Sequence, residues 1–505
     1  MLPDQKQANL LLILLLSLLI IIIFELVAKL SLRTFLKDKI TSENLKTEFE
    51  EIFIPPFEEK KPEEFRVFVY GGSTVQGVPL PKTGFVNQLQ YQLHKVFDYK
   101  DVKVYNFGWA GFNSTRIRYL FNRTISQKPD LVIIYTGENE FIYPQLDYYL
   151  LVRAVTALKN RSDLAKIILS SAQSRNTQKP LSSQKFPAYG DNKFYVSLKM
   201  NIFQNNLLAI TRAAKKSRIP LILAIPGHNI ADWPPVKRET TENGVSISYQ
   251  QGVQIARQLI DQRDYQMAKD WINYHLTQYP DDASLLFLKG TVLEKQGEPS
   301  YAYEIFQKAK DNDLVPWRTT TSHANFIKSL DDHKNVWVVD FAEVFRENSK
   351  DQLPGFNFFL DGTHPNKEGA YLIAKTLSDF IILEKLVYPE WLKDIKDPFP
   401  SQDLFKFMQI TKEDDFFTFT KSAALALKIP LMNFDAAQYF IEKAEEIDNK
   451  NWETRAIKAA MSHLKGDDQK TMVLLKEAEK LKGAALSQQE TESIPYLSEI
   501  LEYQP

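Results

Sequence analysis

The chain has 505 residues, more than the roughly 250–300 that one hydrophobic core usually serves, so at least two domains are expected. Its content of 44% hydrophobic and 25% charged residues is typical of globular proteins and excludes a disordered, collagen-like or polytopic membrane chain. A formal charge of −1 gives no reason to expect a nucleic acid partner, and the absence of cysteine excludes disulfides, thiolate nucleophiles and Cys-ligated metals.

The N-terminal region contains an uncharged run of Leu and Ile from Gln7 to Phe24. This run is just long enough to cross a bilayer as one helix. No small-residue cleavage site follows it, so an uncleaved transmembrane anchor is favoured over a signal peptide. Basic residues after the run would leave the body in the cytoplasm by the positive-inside rule, although long domains translocate regardless of nearby charge. The residues therefore leave the orientation open.

The region after the anchor is a charged linker that contains Pro55, Pro56 and Pro62. Beyond it, short β-branched or aromatic runs alternate with longer helical stretches, which predicts an α/β fold with a doubly wound, flavodoxin-like parallel sheet. The five predicted strands are Arg66–Tyr70, Val102–Asn106, Leu131–Tyr135, Leu221–Ile225 and Val336–Asp340. Ligands of such sheets bind beyond the carboxyl ends of the strands, so the chemistry is expected in the segments that follow them.

More than a hundred residues of helical character separate the fourth and fifth strands. A period of 34 residues is visible there, since Ala268 recurs as Ala302 and Ile272 recurs as Phe306. This period is typical of tetratricopeptide helix pairs. A second array follows the α/β domain, where the recurring pairs are Ala437 and Thr471, Ile441 and Leu475, and Ala444 and Ala478. The alternative is ordinary amphipathic helices that form a core.

These patterns divide the chain into six predicted segments. They are an anchor (1–30), a linker (31–64), the first part of the α/β domain (65–240), inserted tetratricopeptide-like helices (241–315), the second part of the α/β domain (316–390) and a C-terminal helical region (391–505). Helical repeats present extended concave surfaces, so we expect a protein partner for them.

A serine follows the first predicted strand in Gly71-Gly72-Ser73-Thr74. The position is a strand-to-helix turn, where glycines tolerate unusual dihedrals and leave room above the hydroxyl, so Ser73 could be a nucleophile. The alternative is that the glycines only turn the chain and Ser73 caps the next helix.

A carboxylate stands three residues before a histidine in Asp361-Gly362-Thr363-His364. At this spacing the acid can hold the imidazole in one tautomer, as a general base requires. The alternative is that Asp361 caps the helix that begins near Lys367 and that His364 is a surface turn residue.

Two further turns follow the second and third strands. The first runs from Asn106 to Ser114 and contains two glycines, and the second reads Gly137-Glu138-Asn139-Glu140. A glycine amide and an asparagine side chain are the donors that an oxyanion hole requires. Individually, each segment is only a turn.

Together and in this order, the four segments resemble the signature blocks of the SGNH (GDSL-like) hydrolase superfamily, named after its Ser, Gly, Asn and His residues. The resemblance covers about 66–230 and 335–380. The form Gly-Glu-Asn-Glu-Phe, followed by Ile225-Pro226-Gly227-His228-Asn229, resembles a bacterial membrane-anchored subgroup that carries tetratricopeptide repeats within the hydrolase domain. That subgroup would account for the insertion.

The resemblance implies a role for each matching residue. Ser73 corresponds to the nucleophile, His364 to the general base and Asp361 to its orienting acid. The Ser73 amide, Gly111 and Asn139 correspond to the oxyanion hole. This chain departs from the family pattern in two places, because Gly-Gly-Ser replaces Gly-Asp-Ser and a glutamate replaces the aspartate after Asn139.

Four more residues are candidates for the substrate cleft, namely Gly72, Asn113, Arg116 and His228. They lie within or next to the matching segments. The alternative for His228 is a purely structural role, which is the commoner one for a histidine in a turn.

The resemblance implies a membrane-anchored serine esterase or acyl hydrolase that forms a covalent acyl-enzyme. An ester of envelope lipid or polysaccharide is the expected substrate, and the body is expected on the extracytoplasmic (periplasmic) side. Neither a metal nor an organic cofactor is implied. The alternatives are an O-acetyltransferase with the same site, or a membrane-tethered scaffold whose helical repeats bind a partner protein and which keeps the hydrolase fold as architecture.

Overall fold

The computed structural model describes residues 17, 20, 23–25, 27, 54, 56–141, 162, 192–236, 247–428 and 432–497. The chain divides into two compact units, residues 1–58 with 147–184 and residues 59–146 with 185–505. In the first unit, the Ser162 hydroxyl donates to Glu25 at 2.6 Å. The predicted anchor and linker fall mostly outside the described residues. Within the described ranges, no helix is both long enough and apolar enough to cross a membrane.

The second unit is built on a parallel sheet. Its strands are β1 (Phe65–Gly71), β2 (Val102–Gly108), β3 (Leu131–Tyr135), β4 (Leu221–Ile225) and β5 (Val336–Asp340). Their order is β2-β1-β3-β4-β5, the order of flavodoxin-like sheets. The predicted α/β fold with five parallel strands is confirmed. The predicted ends of β1 and β2 were too short, because the ladder continues to a pair between Gly71 and Gly108.

Helices make up most of the remaining described structure. They are α1 (Ser73–Gln76), α2 (Phe85–Val96), α3 (Ser114–Thr124), α4 (Lys193–Ser217), α5 (Ile247–Asp261), α6 (Tyr265–Gln278), α7 (Ala283–Lys295), α8 (Pro299–Asp311), α9 (Thr321–Lys328), α10 (Phe341–Asn348), α11 (Lys367–Leu383), α12 (Ser401–Phe407), α13 (Lys412–Ala426), α14 (Phe434–Ile447), α15 (Trp452–Leu464), α16 (Asp468–Lys482) and α17 (Gln488–Ser493).

Both faces of the sheet are covered by helices. Successive residues of a strand point to opposite faces, so Val67 and Val69 of β1 join a core formed with α2 and α11. On the other face, Tyr70 packs against Phe121 of α3 and its phenol shares a 2.6 Å hydrogen bond with Thr124. Burial on both faces explains why β3 and β4 are continuous apolar runs. Because helices cover both faces of the sheet, polar side chains lie mainly in the loops at the strand ends.

In the described part of the chain, five helices, α5 to α9, lie between β4 and β5, and α5 to α8 are the inserted helices. The residues that recur at 34-residue spacing, Ala268, Ala302, Ile272 and Phe306, are all buried. A Cβ atom on Gly290 would lie 2.6 Å from the Phe306 ring, so this glycine permits close helix packing. The periodic positions therefore form the core of the inserted helices, while their assignment as tetratricopeptide repeats stays a prediction.

The C-terminal helices pack against the loop that connects α10 to α11. The recurring residues of the second array are all buried, and Ala437, Ile441, Leu475 and Ala478 belong to a core that also contains Trp233 and Leu360. The Phe356 ring stacks on Tyr439 with a centroid distance of 4.7 Å. This packing fixes a loop that has little regular structure of its own, and that loop carries Asp361 and His364.

Candidate active site

Ser73 is the first residue of α1, directly after β1. A Cβ atom on Gly71 would lie 2.2 Å from a Val75 methyl group, and one on Gly72 would lie 2.5 Å from Nδ2 of Asn139. Gly71 is therefore required for space, a side chain at position 72 would displace the Asn139 amide, and neither glycine has a positive φ. Gly72 is the helix N-cap, so the alternative that Ser73 caps this helix was wrong.

The Ser73 hydroxyl meets the loop between α10 and α11. Its Oγ lies 2.7 Å from Nε2 of His364, and Nδ1 of His364 lies 2.6 Å from Oδ2 of Asp361. The other oxygen, Oδ1 of Asp361, accepts hydrogen bonds from the backbone N–H groups of Thr363 and His364, each at 2.8 Å. Asn366, not Asp361, caps α11 by accepting from the Gly369 N–H. The alternative that Asp361 is this cap was therefore wrong.

Asp361 and His364 each favour the charged form of the other. Burial would raise the pKa of Asp361. The His364 ring and the hydrogen bonds that the Asp361 carboxylate accepts from the loop together have the larger effect and lower this pKa. Burial would likewise lower the pKa of His364, but Asp361 and, more weakly, Glu138 raise it. Asp361 is thus an anion at neutral pH that orients His364 and favours its protonated form. The His364 side chain keeps 16% of its surface exposed, which leaves the ring accessible to a substrate.

The predicted oxyanion donors lie beside Ser73. Asn139 has a φ of 64°, a left-handed conformation that asparagine tolerates better than most residues. Its Nδ2 donates to the Phe112 carbonyl at 3.2 Å and lies close to Gly72. Gly111 precedes Phe112 and has a φ of 75°, which glycine adopts without strain. Asn139 therefore contacts both the residue before Ser73 and the residue after Gly111.

Glu140 follows Asn139 and is held by Ser114. Its carboxyl accepts from the Ser114 backbone N–H at 2.7 Å and from the Ser114 hydroxyl at 2.9 Å. Burial raises the pKa of Glu140 to about 7, while these hydrogen bonds and the nearby Lys199 and Arg116 oppose the rise. Glu140 thus ties the Asn139 turn to the first residue of α3, which follows the Gly111 turn.

Three polar residues that the sequence did not single out also shape the site. The Thr74 hydroxyl donates to Oε2 of Glu138 at 3.1 Å. The Gln76 side chain accepts from the Ala110 backbone N–H at 2.9 Å and so holds the Gly111 turn against α1. One signal for Glu138 was available in the sequence, since a carboxyl directly after a buried strand is placed at the ligand edge.

The cleft candidates have different surroundings. Gly72 lies against Asn139, and the Asn113 side chain caps α3 by accepting from the Arg116 N–H. Arg116 is buried, and its charge acts on Glu140. His228 is also buried in the loop after β4, and burial, followed by Lys310 and Arg318, lowers its pKa well below the usual value. Of these candidates, Asn113 has a structural role as the N-cap of α3.

The arrangement is suited to nucleophilic catalysis. A hydroxyl, a histidine and a carboxylate form one hydrogen-bonded series, and the Asn139 amide lies against Gly72, the residue before Ser73. Within the described ranges, no group of three or more His, Asp and Glu side chains is placed to hold a metal ion. The chemistry that these residues support is attack of Ser73 on a carbonyl carbon.

No protein-family model and no curated protein matches this chain. Among solved structures, it is similar to a protein from Desulfitobacterium hafniense DCB-2 that is assigned to the G-D-S-L family of lipolytic proteins, with 15% identity, 63% of this chain and 99% of that chain covered, and a TM-score of 0.27. It is also similar to BT4096, a gut microbial diltiazem-metabolizing enzyme, with 10% identity, 85% and 96% of the two chains covered, and a TM-score of 0.27. At these scores, neither likeness bears on the fold or the function of this chain.

Proposed function

We propose that this chain is a serine esterase of SGNH type that acts through a covalent acyl-enzyme. The hydrogen-bonded series from Ser73 through His364 to Asp361 carries the proposal. This series supplies a nucleophile, a base within hydrogen-bond distance and a group that orients the base. The order of the four motif segments along the chain supports the SGNH type.

In the proposed mechanism, Nε2 of His364 takes the proton from Oγ of Ser73 as Oγ attacks the ester carbonyl. The negative charge that forms on the carbonyl oxygen is stabilised by N–H groups of Asn139, Gly111 and Ser73. The imidazolium then gives its proton to the leaving alcohol as the C–O bond breaks, which leaves an acyl-serine. Water, activated by His364, releases the acid and restores Ser73.

The acceptor in the second step decides between two reactions. Water gives an esterase, and a hydroxyl group of a second substrate gives the O-acetyltransferase, since both use the same residues. We propose water as the acceptor because the base and the oxyanion donors suffice for hydrolysis without a second binding site. The test gives the enzyme an acetyl ester together with an excess of sugar acceptor. Release of free acetate supports water as the acceptor, and transfer of all acetyl groups to the sugar contradicts it.

We further propose that residues 7–24 anchor the enzyme in a membrane, with the body on the extracytoplasmic side and an envelope lipid or polysaccharide ester as substrate. The length and apolar composition of this run support the anchor. The inserted and C-terminal helices are proposed to bind a protein partner, an idea supported by their periodic cores. A reporter fused to the carboxyl end that is active only in the cytoplasm would overturn the proposed orientation.

The first test is labelling of the purified full-length chain with a fluorophosphonate probe, which reacts with activated serines. We expect labelling of the wild type and its loss, by a factor of roughly 10⁴ or more in rate, in Ser73→Ala and His364→Ala. Ser329→Ala, which removes an exposed serine after α9, serves as the matched control and should label at the wild-type rate. A folded wild-type protein that does not react would contradict the esterase proposal and favour the scaffold.

A further inference from the structure

Two buried carboxyl groups stand on either side of Asn139, and their surroundings differ. Both oxygens of Glu140 are held by Ser114. Glu138 is 5% exposed, and its Oε2 accepts a hydrogen bond from Thr74. Its Oε1 is buried and has no hydrogen-bond partner among the described residues. A buried carboxyl oxygen without a partner is costly, so Glu138 calls for a reason beyond packing.

The location of Glu138 supplies that reason. Thr74, which donates to it, follows Ser73 in the first turn of α1. The charged groups that act on Glu138 are His364 and Asp361, both from the loop between α10 and α11. Glu138 in turn acts on the Tyr135 phenol of β3. The carboxyl is therefore hydrogen-bonded to the nucleophile helix and acts electrostatically on the base, from a segment different from the one that carries Asp361.

We infer that Glu138 is a positioning residue of the proposed esterase, a second carboxyl that acts through His364 by favouring its imidazolium form. The inference rests on the proposed function. During acylation, the proton moves from Oγ of Ser73 to Nε2 of His364 and then to the leaving alcohol. Glu138 neither gives nor takes this proton, and its effect is electrostatic. Asp361 provides the hydrogen bond at Nδ1, and Glu138 adds negative charge from the direction of Thr74.

The protonation of Glu138 is coupled to that of His364. Burial raises the pKa of Glu138 to about 8, the His364 charge and the Thr74 hydrogen bond oppose the rise, and Asp361 adds to it. A charged His364 favours the carboxylate form of Glu138, and a carboxylate at Glu138 favours the charged form of His364, so the two groups titrate as a pair. Removing the Glu138 charge must then lower the pKa of His364.

The test is an NMR titration of the histidine imidazoles in the full-length chain, with the His364 signal identified by its absence in His364→Ala. In Glu138→Gln and Glu138→Met we expect the His364 midpoint to fall by about one pH unit, the low end of the usual effect of a nearby carboxylate. The acidic limb of the fluorophosphonate labelling rate should move to lower pH by the same amount, because His364 must be neutral to act as a base. Glu140→Gln is the matched control and should leave the His364 midpoint in place.

Each outcome has a distinct meaning. An unchanged His364 midpoint in both Glu138 variants overturns the inference, even if labelling persists. An equal shift in Glu140→Gln also overturns it, because any buried charge would then have the same effect. If the Glu138 variants do not fold, Thr74→Val decides: it removes a hydrogen bond that favours the carboxylate, so the midpoint should fall by a smaller amount, and no change overturns the inference. Absence of wild-type labelling overturns the proposed function instead, and leaves the His364 titration readable.

Discussion

The inserted helices and the C-terminal helices share a 34-residue spacing of buried residues, yet they contact the candidate site from different sides. Lys310, at the end of α8, donates to the Thr319 carbonyl at 2.7 Å, and the Thr319 side chain packs against Gly137. Gly137 leads directly into the Asn139 turn. The core of the C-terminal helices instead includes Trp233 and Leu360, next to the Asp361–His364 loop. The inserted helices therefore support the side of the site that carries Asn139, here called the oxyanion side. The C-terminal helices support the side that carries Asp361 and His364, here called the base side.

The difference follows from what the sheet itself can position. Ser73 and Asn139 follow the paired ends of β1 and β3 closely, so the sheet places both near one edge. The Asp361–His364 loop contains only one isolated bridge, between Phe359 and Pro365. Its position depends on side chains from elsewhere, and a Cβ atom on Gly362 would lie 2.8 Å from the Trp233 ring. The base side should therefore be more sensitive to distant packing changes than the nucleophile side.

The largest effect is expected from Trp233→Ala. Removing this buried ring leaves a cavity between the C-terminal core and Gly362, and large-to-small changes of this kind cost about 3–5 kcal/mol of unfolding free energy. Denaturant unfolding measures this loss. A loosened loop weakens the contact of Asp361 with His364, so the His364 midpoint in an NMR titration should also fall.

Trp452→Ala is the matched control for this prediction. Trp452 begins α15, packs against the same C-terminal core and is only partly buried. We expect it to lower the unfolding free energy by less and to leave the His364 midpoint unchanged. A Trp233→Ala protein with wild-type His364 titration would show that the C-terminal helices do not position the base.

Asn139→Ala tests the oxyanion side. Losing one oxyanion donor costs roughly 2.7–4 kcal/mol of barrier, so turnover of a small activated ester such as p-nitrophenyl acetate should slow by about 10²–10³. The His364 midpoint should not move, because the substitution changes no charge near the ring. Asn451→Ala, which removes the cap of α15 far from the site, should turn over at the wild-type rate. A rate loss below tenfold would remove Asn139 from the oxyanion hole.

The sequence predicted the parts of the site that depend on local structure. Each of the segments with Ser73, Gly111 and Asn139 follows a strand, so the topology of a parallel sheet brings them to one edge. The pairing of Asp361 with His364 also follows from their spacing of three residues. The sequence left open whether Ser73 and Asp361 only cap helices. The structure answers this, because Gly72 and Asn366 are the N-caps of α1 and α11.

The remaining contacts depend on packing between segments that are distant along the chain. Thr74 bonds to Glu138 across 64 positions, and Phe356 stacks on Tyr439 in a helix that follows the sheet domain. No periodicity or local spacing encodes such pairs. The end of β2 at Gly108 was missed for a related reason, since glycine has a low strand propensity and is held there by its neighbouring strand.

The smallest effect is expected from Lys310→Met, which tests whether the inserted helices act on the oxyanion side alone. Burial lowers the pKa of Lys310 and the ion pair with Asp311, at 3.0 Å, opposes this, so methionine removes a costly charge together with the donor to Thr319. The unsatisfied carbonyl costs about 1–3 kcal/mol of unfolding free energy, and removal of the buried charge offsets part of this, so the net loss should be small.

If Thr319 then moves away from Gly137, Lys310→Met should slow ester turnover severalfold, in the direction of Asn139→Ala, while the His364 midpoint stays at the wild-type value. Lys295→Met, at the exposed end of α7, should change neither quantity. The His364 titration is the discriminating measurement. We expect a lower His364 midpoint when the C-terminal core is changed in Trp233→Ala, and an unchanged midpoint when the inserted helices are changed in Lys310→Met. A shift in Lys310→Met would mean that the two helical regions act on the base together, through the loop of residues 228–233 that lies between them.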